Sequence, residues 1–269
     1  MRFGVCGSMN ARQPDGSGVE IVEQIREIGY DYIELSLAHL AALPAAEFAA
    51  LRRRVAASGI ACEACNNFFP RAVRLTGAEV NPAQVRDYIA LAVGRAAELG
   101  AKIIVFGSSA AKNVPAGFPM YRAWQQIVWT LHQAADEIGR LFPNGDGITI
   151  AIEPLNRQES NIVNSEAEGL ALLQRVSRRE VQILVDYFHI SLEAEDLSIL
   201  QLAGPHLRHA HFARVAGRAF PTEPEPGYLA FFAALKAAGY DGRVSVEGFT
   251  RDFDRDAVKS LALLKRLAV

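Results

Sequence analysis

Residues 148–153 read Ile-Thr-Ile-Ala-Ile-Glu, a short apolar run that ends in a carboxylate. The same pattern returns at 181–186, where Val-Gln-Ile-Leu-Val-Asp again ends in an acid. Continuous apolar runs of this length are typical of buried parallel strands, and the segment between them is longer and rich in Glu, Leu and Arg. The stretch 148–186 therefore predicts two parallel β-strands joined by a helix.

The same alternation of strand and helix extends in both directions from this stretch. Strands are predicted at 2–6, 31–36, 59–65, 102–107, 148–153, 181–186, 207–212 and 243–247. Helical patterns lie near 17–28, 44–57, 81–98, 119–140, 165–176, 192–202, 227–238 and 255–267. Asn81 and Pro82 begin one of these helices, and Gly100 follows its end. Eight strands alternating with eight helices indicate a repeated βα unit.

The length of the chain suits the closure of these units into one barrel. It has 269 residues, close to the ~250 that are typical of eight βα units around a closed sheet. No linker, low-complexity tract or charge run divides it. We therefore predict an α/β fold, a (β/α)8 TIM barrel, with residues 1–269 as a single domain. The longer connections, at 66–80, 108–118 and 213–226, follow the third, fourth and seventh strands and are of a length that is usually functional.

Composition and charge exclude several classes of protein. Half of the residues are hydrophobic and 22% are charged, which is typical of a globular chain and not of a disordered one. The net charge of −2 and the pI near 6.3 provide no general basic field, so nucleic acid is not an expected partner. No apolar stretch approaches the ~18 residues of a membrane span, and the N-terminus lacks a secretory signal core. The expected location is cytoplasmic, without a membrane partner.

In a barrel of this kind, catalytic side chains lie at the carboxyl ends of the strands. The last four predicted strands end in Glu153, Asp186, His211 and Glu247. Three carboxylates that converge on one barrel mouth repel one another unless a cation neutralises them. The set therefore predicts one bound divalent metal ion. An oxygen-rich set with one nitrogen and no thiolate favours Mn²⁺, Mg²⁺ or Co²⁺, and Zn²⁺ is also compatible with these ligand types.

Three segments around these residues carry a family resemblance. Residues 153–164, Glu-Pro-Leu-Asn-Arg-Gln-Glu-Ser-Asn-Ile-Val-Asn, resemble the E-P-L-N-R-x-E-x-N-x-x-N stretch of the D-tagatose 3-epimerase group. These ketose epimerases belong to the xylose-isomerase-like TIM-barrel superfamily of sugar phosphate isomerases and epimerases. Asp-Tyr-Phe-His at 186–189 resembles the D-x-x-H motif of the group, and Arg-His-Ala-His at 208–211 resembles its seventh strand.

The resemblance implies a role for each matching residue. It implies four metal ligands, namely Glu153, Asp186, His211 and Glu247. The two glutamates among them would also form the acid/base pair. It further implies a sugar substrate whose first hydroxyls are held by Glu159, His189 and Arg218. Related enzymes are often dimers or tetramers, so a homodimer or a homotetramer is the implied assembly.

These residue types suit the chemistry of a ketose epimerase or isomerase. Epimerising a carbon next to a ketone removes a proton whose pKa is about 20, so the enediolate must be stabilised as it forms. A metal ion chelated by substrate oxygens provides that stabilisation as a Lewis acid. Glu153 and Glu247 would flank the substrate, one removing the proton and the other returning it on the opposite face. The predicted function is a divalent-metal-dependent sugar isomerase or epimerase that acts on a small ketose or a related polyol ketone.

Two other functions are compatible with the same fold. A lyase of the inosose dehydratase type uses the same metal and base, and it needs a positioned acid to expel a hydroxyl. An endonuclease IV-like enzyme cleaves DNA at abasic sites with three zinc ions, which are held by further histidines after strands two to four. Here the ends of those strands carry Glu34, Asn66, Asn67 and Gly107 instead. The nuclease is therefore the less favoured alternative.

Several other residues are expected to have structural roles. The chain has three cysteines, an odd number that argues against a disulfide framework. Cys62 and Cys65 are three residues apart on a strand, so they should point to opposite faces and not act together. His209 lies two residues before His211 and is expected one layer below it in the barrel. For Glu34, a contact with the site and a structural hydrogen bond are equally open.

Overall fold

The strands form one closed parallel sheet. The computed structural model describes all residues, 1–269, and each strand pairs with its neighbours in sequence, the eighth closing onto the first. The strands are β1 (Arg2–Cys6), β2 (Tyr32–Ser36), β3 (Ala61–Asn66), β4 (Ile103–Phe106), β5 (Thr149–Ile152), β6 (Val181–Asp186), β7 (Leu207–Phe212) and β8 (Arg243–Val246). Each lies within two residues of its predicted bounds, so the predicted (β/α)8 barrel is confirmed.

Helices cover the outside of the barrel, and most of them follow the predicted pattern. They are α1 (Val22–Ile28), α2 (Leu37–Ala42), α3 (Ala45–Ser58), α4 (Pro82–Leu99), α5 (Ser109–Lys112), α6 (Met120–Leu141), α7 (Glu166–Val176), α8 (Tyr187–Leu192), α9 (Ile199–Ala203), α10 (Pro226–Ala237) and α11 (Phe253–Leu267). A 3₁₀ turn replaces the predicted start of α1. None of the helices has both the length and the apolar composition needed to cross a bilayer.

The prediction of one helix at 192–202 was wrong. Helix α8 ends and α9 begins within this range, and turns separate the two. Ala194 has a left-handed backbone (φ 51°), which is incompatible with a continuous α-helix. Asp196 then accepts a hydrogen bond from the backbone N–H of Ser198 (2.8 Å), a local turn that competes with helix formation.

Two apolar cores hold the barrel together. The outer core lies between strands and helices and contains 71 buried residues, so it supplies most of the hydrophobic stabilisation. The inner core contains only Tyr32, Ala64, Ile103, Val105, Ala151 and Leu184. Gly4 leaves room for the ring of Tyr32, because a Cβ atom at position 4 would collide with it. An inner core of this size leaves the rest of the barrel interior to polar side chains.

Strand geometry carries four of these polar side chains to the mouth of the barrel. Residues two positions apart on a strand share a face. The inner-core residues of β5 and β6 are each followed two positions later by an acid, Glu153 and Asp186. The equivalent positions of β7 and β8 hold His211 and Glu247. All four residues are buried at the carboxyl end of the barrel, with exposed fractions of no more than 7%.

A bulge in β3 changes the orientation expected for the cysteine pair. The register between β2 and β3 shifts after Cys62 and leaves Glu63 as an extra residue, which pairs with Arg2 and Arg243. Because of this extra residue, Cys62 and Cys65 both belong to the outer core, and their Sγ atoms lie 4.0 Å apart. The prediction that they point to opposite faces was wrong. Both thiols are free and buried.

Candidate metal centre and active site

The four strand-end residues converge on one point. One candidate ligand atom from each of Glu153, Asp186, His211 and Glu247 lies within 4.8 Å of all the others. His211 Nδ1 lies 3.0 Å from Glu153 Oε1 and 3.0 Å from Glu247 Oε2. We call these four residues the strand-end cluster. Three carboxylates and one imidazole in this arrangement are a donor set that fits a divalent metal ion.

The electrostatics of the strand-end cluster also favour a bound cation. Burial raises the pKa of Asp186 to about 7, and burial together with the charge of Glu247 raises the pKa of Glu153. The pKa of His211 is raised despite its burial, because Glu247 and Glu34 lie beside it. Burial alone would raise the pKa of Glu247, but the positive charges of His211 and Arg218 together lower it. Carboxylates this close repel one another when all are ionised, and a cation bound among them stabilises their ionised forms.

Arg218 reaches the cluster from the loop after β7. Its guanidinium donates hydrogen bonds to Glu247 Oε2 (2.5 Å) and to Asp186 Oδ2 (3.3 Å), and it lies 4.7 Å from the centre of the Phe188 ring. The Arg218 backbone is left-handed (φ 46°) and follows Gly217, which is also left-handed (φ 75°). This turn reverses the loop and directs the arginine side chain over the mouth of the barrel.

His189 is a neutral hydrogen-bond donor beside the cluster. The backbone N–H of Asn156 (3.2 Å) and its side-chain amide (2.8 Å) both donate to His189 Nδ1, so the ring proton is on Nε2. Burial and the charge of Arg218 lower the pKa of His189 to about 3, which keeps the ring neutral. Nε2 lies 3.4 Å from Asp186 Oδ2. This N–H is therefore available to a hydroxyl group bound next to Asp186.

Asparagines shape the loop after β5, and this loop presents Glu159 at the mouth. The side chain of Asn156 accepts a hydrogen bond from the backbone N–H of Glu159 (3.2 Å) and donates one to its carboxylate (3.1 Å). Asn164 donates to a backbone carbonyl within the loop (2.7 Å), and Asn161 bonds the backbone of the loop after β4. The Glu159 carboxylate is 37% exposed and lies 3.4 Å from Arg218 Nη1. Asn156 thus holds both the backbone and the carboxylate of Glu159, and the carboxylate remains partly accessible to solvent.

Comparison with known proteins identifies the family of this chain. The profile described as xylose isomerase-like TIM barrel matches residues 22–267. The chain belongs to the xylose isomerase-like TIM barrel family. This confirms the resemblance inferred from the 153–164 segment.

Relatives within the xylose isomerase-like family cover most of the chain. D-psicose 3-epimerase of Agrobacterium fabrum (strain C58) is 26% identical over 237 residues, which are 86% of this chain and 78% of that protein. L-ribulose 3-epimerase of Mesorhizobium japonicum is 26% identical over 253 residues, which are 90% of this chain and 79% of that protein. A crystal structure of D-psicose 3-epimerase in the presence of D-fructose has a TM-score of 0.82 at 22% identity, over 100% of this chain and 99% of the other. The structural likeness supports the fold.

Two further polar residues of this xylose isomerase-like barrel contact the cluster and were not predicted as site residues. Asn66, at the end of β3, donates a hydrogen bond from Nδ2 to Glu247 Oε1 (2.9 Å). Lys112 is fully buried and donates to the backbone carbonyl of Glu153 (3.4 Å), and burial lowers its pKa to about 8. The rule of polar strand ends would have found Asn66. No signal in the sequence marks Lys112, which lies outside the strands.

The remaining histidines of this xylose isomerase-like barrel do not extend the cluster. His209 and Glu34 are fully buried in the barrel below it. Glu34 combines its two expected roles, since it forms a structural hydrogen bond with His209 and also contacts the cluster residue His211. His39 and His206 are exposed, and His132 lies on the outer helix α6. No histidine of β1 to β4 joins the cluster, so the additional histidines of a three-zinc centre are missing.

Proposed function

We propose that this chain is a divalent-metal-dependent ketose epimerase or isomerase that moves a proton at the carbon next to the ketone. One observation carries the proposal: the carboxylates of Glu153 and Glu247 both lie 3.0 Å from His211 Nδ1 in a buried cluster at the barrel mouth. Two carboxylates on different strands suit removal of a proton from one face of a carbon and its return on the other. The relatives named D-psicose 3-epimerase and L-ribulose 3-epimerase support this reaction class.

The strand-end cluster is proposed to hold the ion that this reaction requires. A divalent metal ion would supply Lewis-acid stabilisation for the negative charge that develops when the carbon loses its proton. Mn²⁺, Mg²⁺ and Co²⁺ suit three carboxylates and one imidazole best. The four proposed ligands are Glu153, Asp186, His211 and Glu247.

The paired glutamates are proposed to move the proton. One carboxylate takes the proton from the carbon, and the other returns a proton from the opposite side, so the configuration at that carbon inverts. Asn66 donates a hydrogen bond to one carboxylate oxygen of Glu247, and Lys112 donates one to the backbone carbonyl of Glu153. If a single carboxylate carried the proton to the adjacent carbon, the same site would interconvert an aldose and a ketose.

Three side chains at the mouth are suited to hold a small polyhydroxy ketone. His189 offers the Nε2–H group to a hydroxyl, because its Nδ1 is already engaged by Asn156. The Glu159 carboxylate offers acceptors, and Arg218 offers donors between Glu159 and the cluster. A sugar oxygen bound beside Asp186 would therefore meet both a donor and an acceptor, which selects hydroxyl groups over apolar substituents.

Proton exchange in heavy water tests the proposed reaction. The protein is incubated with a panel of ketoses that includes D-psicose and L-ribulose, with added Mn²⁺, Mg²⁺ or Co²⁺. NMR then reports the loss of the carbon-bound proton next to the ketone and the formation of the epimer. We expect exchange with at least one ketose, and we expect a chelator to abolish it.

Two substitutions test the assigned pair. Glu153→Gln and Glu247→Gln should each lower the exchange rate by about 10²–10⁴-fold, because each removes one proton-transfer group and keeps the volume of the side chain. Glu98→Gln is the matched control, since Glu98 is exposed near the end of α4 and pairs only with Arg52. Exchange that survives both substitutions would contradict the pair.

The same assays separate the alternative functions. Loss of water from the substrate, without exchange into recovered starting material, would favour a lyase of the inosose dehydratase type. Nicking of abasic DNA by a protein that contains three zinc ions would favour the endonuclease IV-like alternative.

A further inference from the structure

Below the strand-end cluster, the barrel interior contains a polar network centred on Glu34. Glu34 Oε1 accepts a hydrogen bond from His211 Nε2 (3.0 Å). Glu34 Oε2 accepts one from His209 Nε2 (2.7 Å) and one from Ser245 Oγ (2.5 Å). The hydroxyl of Tyr32 lies 2.9 Å from Ser245 Oγ. All five side chains are 0% exposed, so water cannot exchange for any of these partners.

The proton positions in this network follow from its donors and acceptors. An ionised carboxylate only accepts hydrogen bonds, so both imidazoles and the serine hydroxyl must donate to Glu34. His209 Nδ1 is buried and has no partner. Orphaned buried N–H groups are rare, which puts the single proton of a neutral His209 ring on Nε2, facing Glu34. The same carboxylate faces Nε2 of His211.

We infer that Glu34 is a positioning residue that selects the metal-binding form of His211. When His211 loses a proton to bind a metal ion, Glu34 would keep the remaining proton on Nε2 and leave an unprotonated Nδ1 facing Glu153 and Glu247, both 3.0 Å away. The opposite tautomer places an N–H group in the cluster and removes one ligand. Carboxylates that accept from the remote nitrogen of a histidine ligand fix both its tautomer and its orientation. The inference deepens the proposed function and rests on its metal site.

Glu34→Gln separates this positioning role from packing. Glutamine keeps the volume of the side chain and exchanges one acceptor for an NH₂ donor. Its amide oxygen should take the position of Oε2, because His209 and Ser245 both donate hydrogen bonds there. Only His211 donates to the position of Oε1. The amide NH₂ group then faces His211 Nε2 and requires that nitrogen to accept. His211 would carry its proton on Nδ1 and lose its lone pair toward the cluster.

Ser245→Ala is the matched control inside the same buried network. It removes one donor to Glu34 Oε2 and leaves the bond between Glu34 and His211 in place. We expect both variants to lower the unfolding temperature. Only Glu34→Gln should weaken the binding of Mg²⁺ and Mn²⁺, by about 10–100-fold in isothermal titration calorimetry. Unchanged binding in Glu34→Gln, or an equal loss in Ser245→Ala, would overturn the positioning role.

A measurement on the unmodified protein decides the point even if Glu34→Gln fails to fold. Side-chain ¹⁵N NMR of the Mg²⁺-loaded protein distinguishes the two histidine tautomers, and we expect the proton of His211 on Nε2. A proton on Nδ1 would overturn the inference. Neither readout needs a sugar. A protein that binds no divalent ion would reject the proposed function together with this inference, whereas binding that is insensitive to Glu34→Gln would reject the inference alone.

Discussion

The barrel mouth has a charged half, formed by the ends of β5 to β8, and a neutral half, formed by the ends of β3 and β4. Strands β5 to β8 end in the strand-end cluster, with three carboxylates and one imidazole. Strands β3 and β4 end in neutral residues that act on that cluster: Asn66 donates a hydrogen bond to Glu247, and Gly107 leaves the space that Glu153 occupies. The one carboxylate from β2, Glu34, is covered by its hydrogen-bond donors below the mouth. One half carries the groups that are proposed to react, and the other half contacts and positions them.

Among substitutions in the neutral half, Gly107→Ala should cause the largest loss of turnover. A Cβ atom at this position would collide with Glu153 Oε2, so the carboxylate must move. Displacement of a catalytic group by about 1 Å costs on the order of 100-fold in rate, and we expect a loss of that size in turnover. Steady-state kinetics with the ketose that exchanges fastest measures it.

Gly94→Ala is the control for this substitution. Gly94 lies within α4 and has no atom within 4 Å of an added Cβ. Alanine should leave turnover unchanged and stabilise the helix by about 0.5–1 kcal/mol. Unchanged turnover in Gly107→Ala would mean that Glu153 can move without loss of function. It would contradict the idea that the residue at the end of β4 positions Glu153.

The sequence predicted the barrel well because the signal is local. Each buried strand is a short apolar run, and each long helix has a cap or a clear period, so their order could be read directly. Helices α2, α5 and α8 were missed because segments of four to six residues show no helical period. The bulge at Glu63 was missed because the register between two strands is not a local signal, and the partners of the Glu63 carboxylate, Arg2 and Arg243, are distant in sequence.

The candidate site was predictable only in part. The structure brings the four strand-end residues together, and Glu159, His189 and Arg218 lie around them, while their roles remain predictions. Strand ends could be aligned from sequence because the barrel places them all at one rim. Lys112 could not be found this way, since it lies at the end of the short helix α5 and contacts Glu153 across 41 residues of sequence. The hydrogen bonds of Glu34 also depend on strands from opposite parts of the barrel.

Metal binding should depend on pH through the charged half alone. Burial raises the pKa of Asp186 to about 7 and also raises the pKa of Glu153, and a ligand must lose its proton to bind a metal ion. Affinity for Mg²⁺ should therefore fall at least about tenfold for each pH unit below about 7, because the raised pKa of His211 adds a further proton that must be displaced. The imidazoles of His211 and His209 outweigh burial and keep the pKa of Glu34 well below its usual range, so Glu34 adds no proton in this window.

The stability of the chelator-treated protein provides the check on this prediction. The pKa of Asp186 is raised in the folded state, so its stabilising contribution is complete below pH about 4 and is lost as the pH rises through about 7. Its contribution to stability and the metal affinity should thus change in opposite directions with pH. Calorimetric titrations at several pH values measure the affinity, and thermal unfolding followed by circular dichroism measures the stability of the chelator-treated protein at each. An affinity that is flat over this range would contradict the raised pKa of Asp186.

Asn66 gives the smallest effect and the sharpest test of how the neutral half acts. Asn66→Ala removes the donor to Glu247 Oε1 at a cost of about 1.5 kcal/mol, which is about tenfold in turnover at saturating metal. Asn66→Asp replaces the donor with a second carboxylate facing Glu247, so repulsion should lower turnover further than alanine does. The heavy-water exchange assay ranks the two variants. If aspartate, which keeps the volume of asparagine, costs less than alanine, Asn66 acts through its volume and not through its hydrogen bond, and the neutral half would contribute space to the charged half without orienting it.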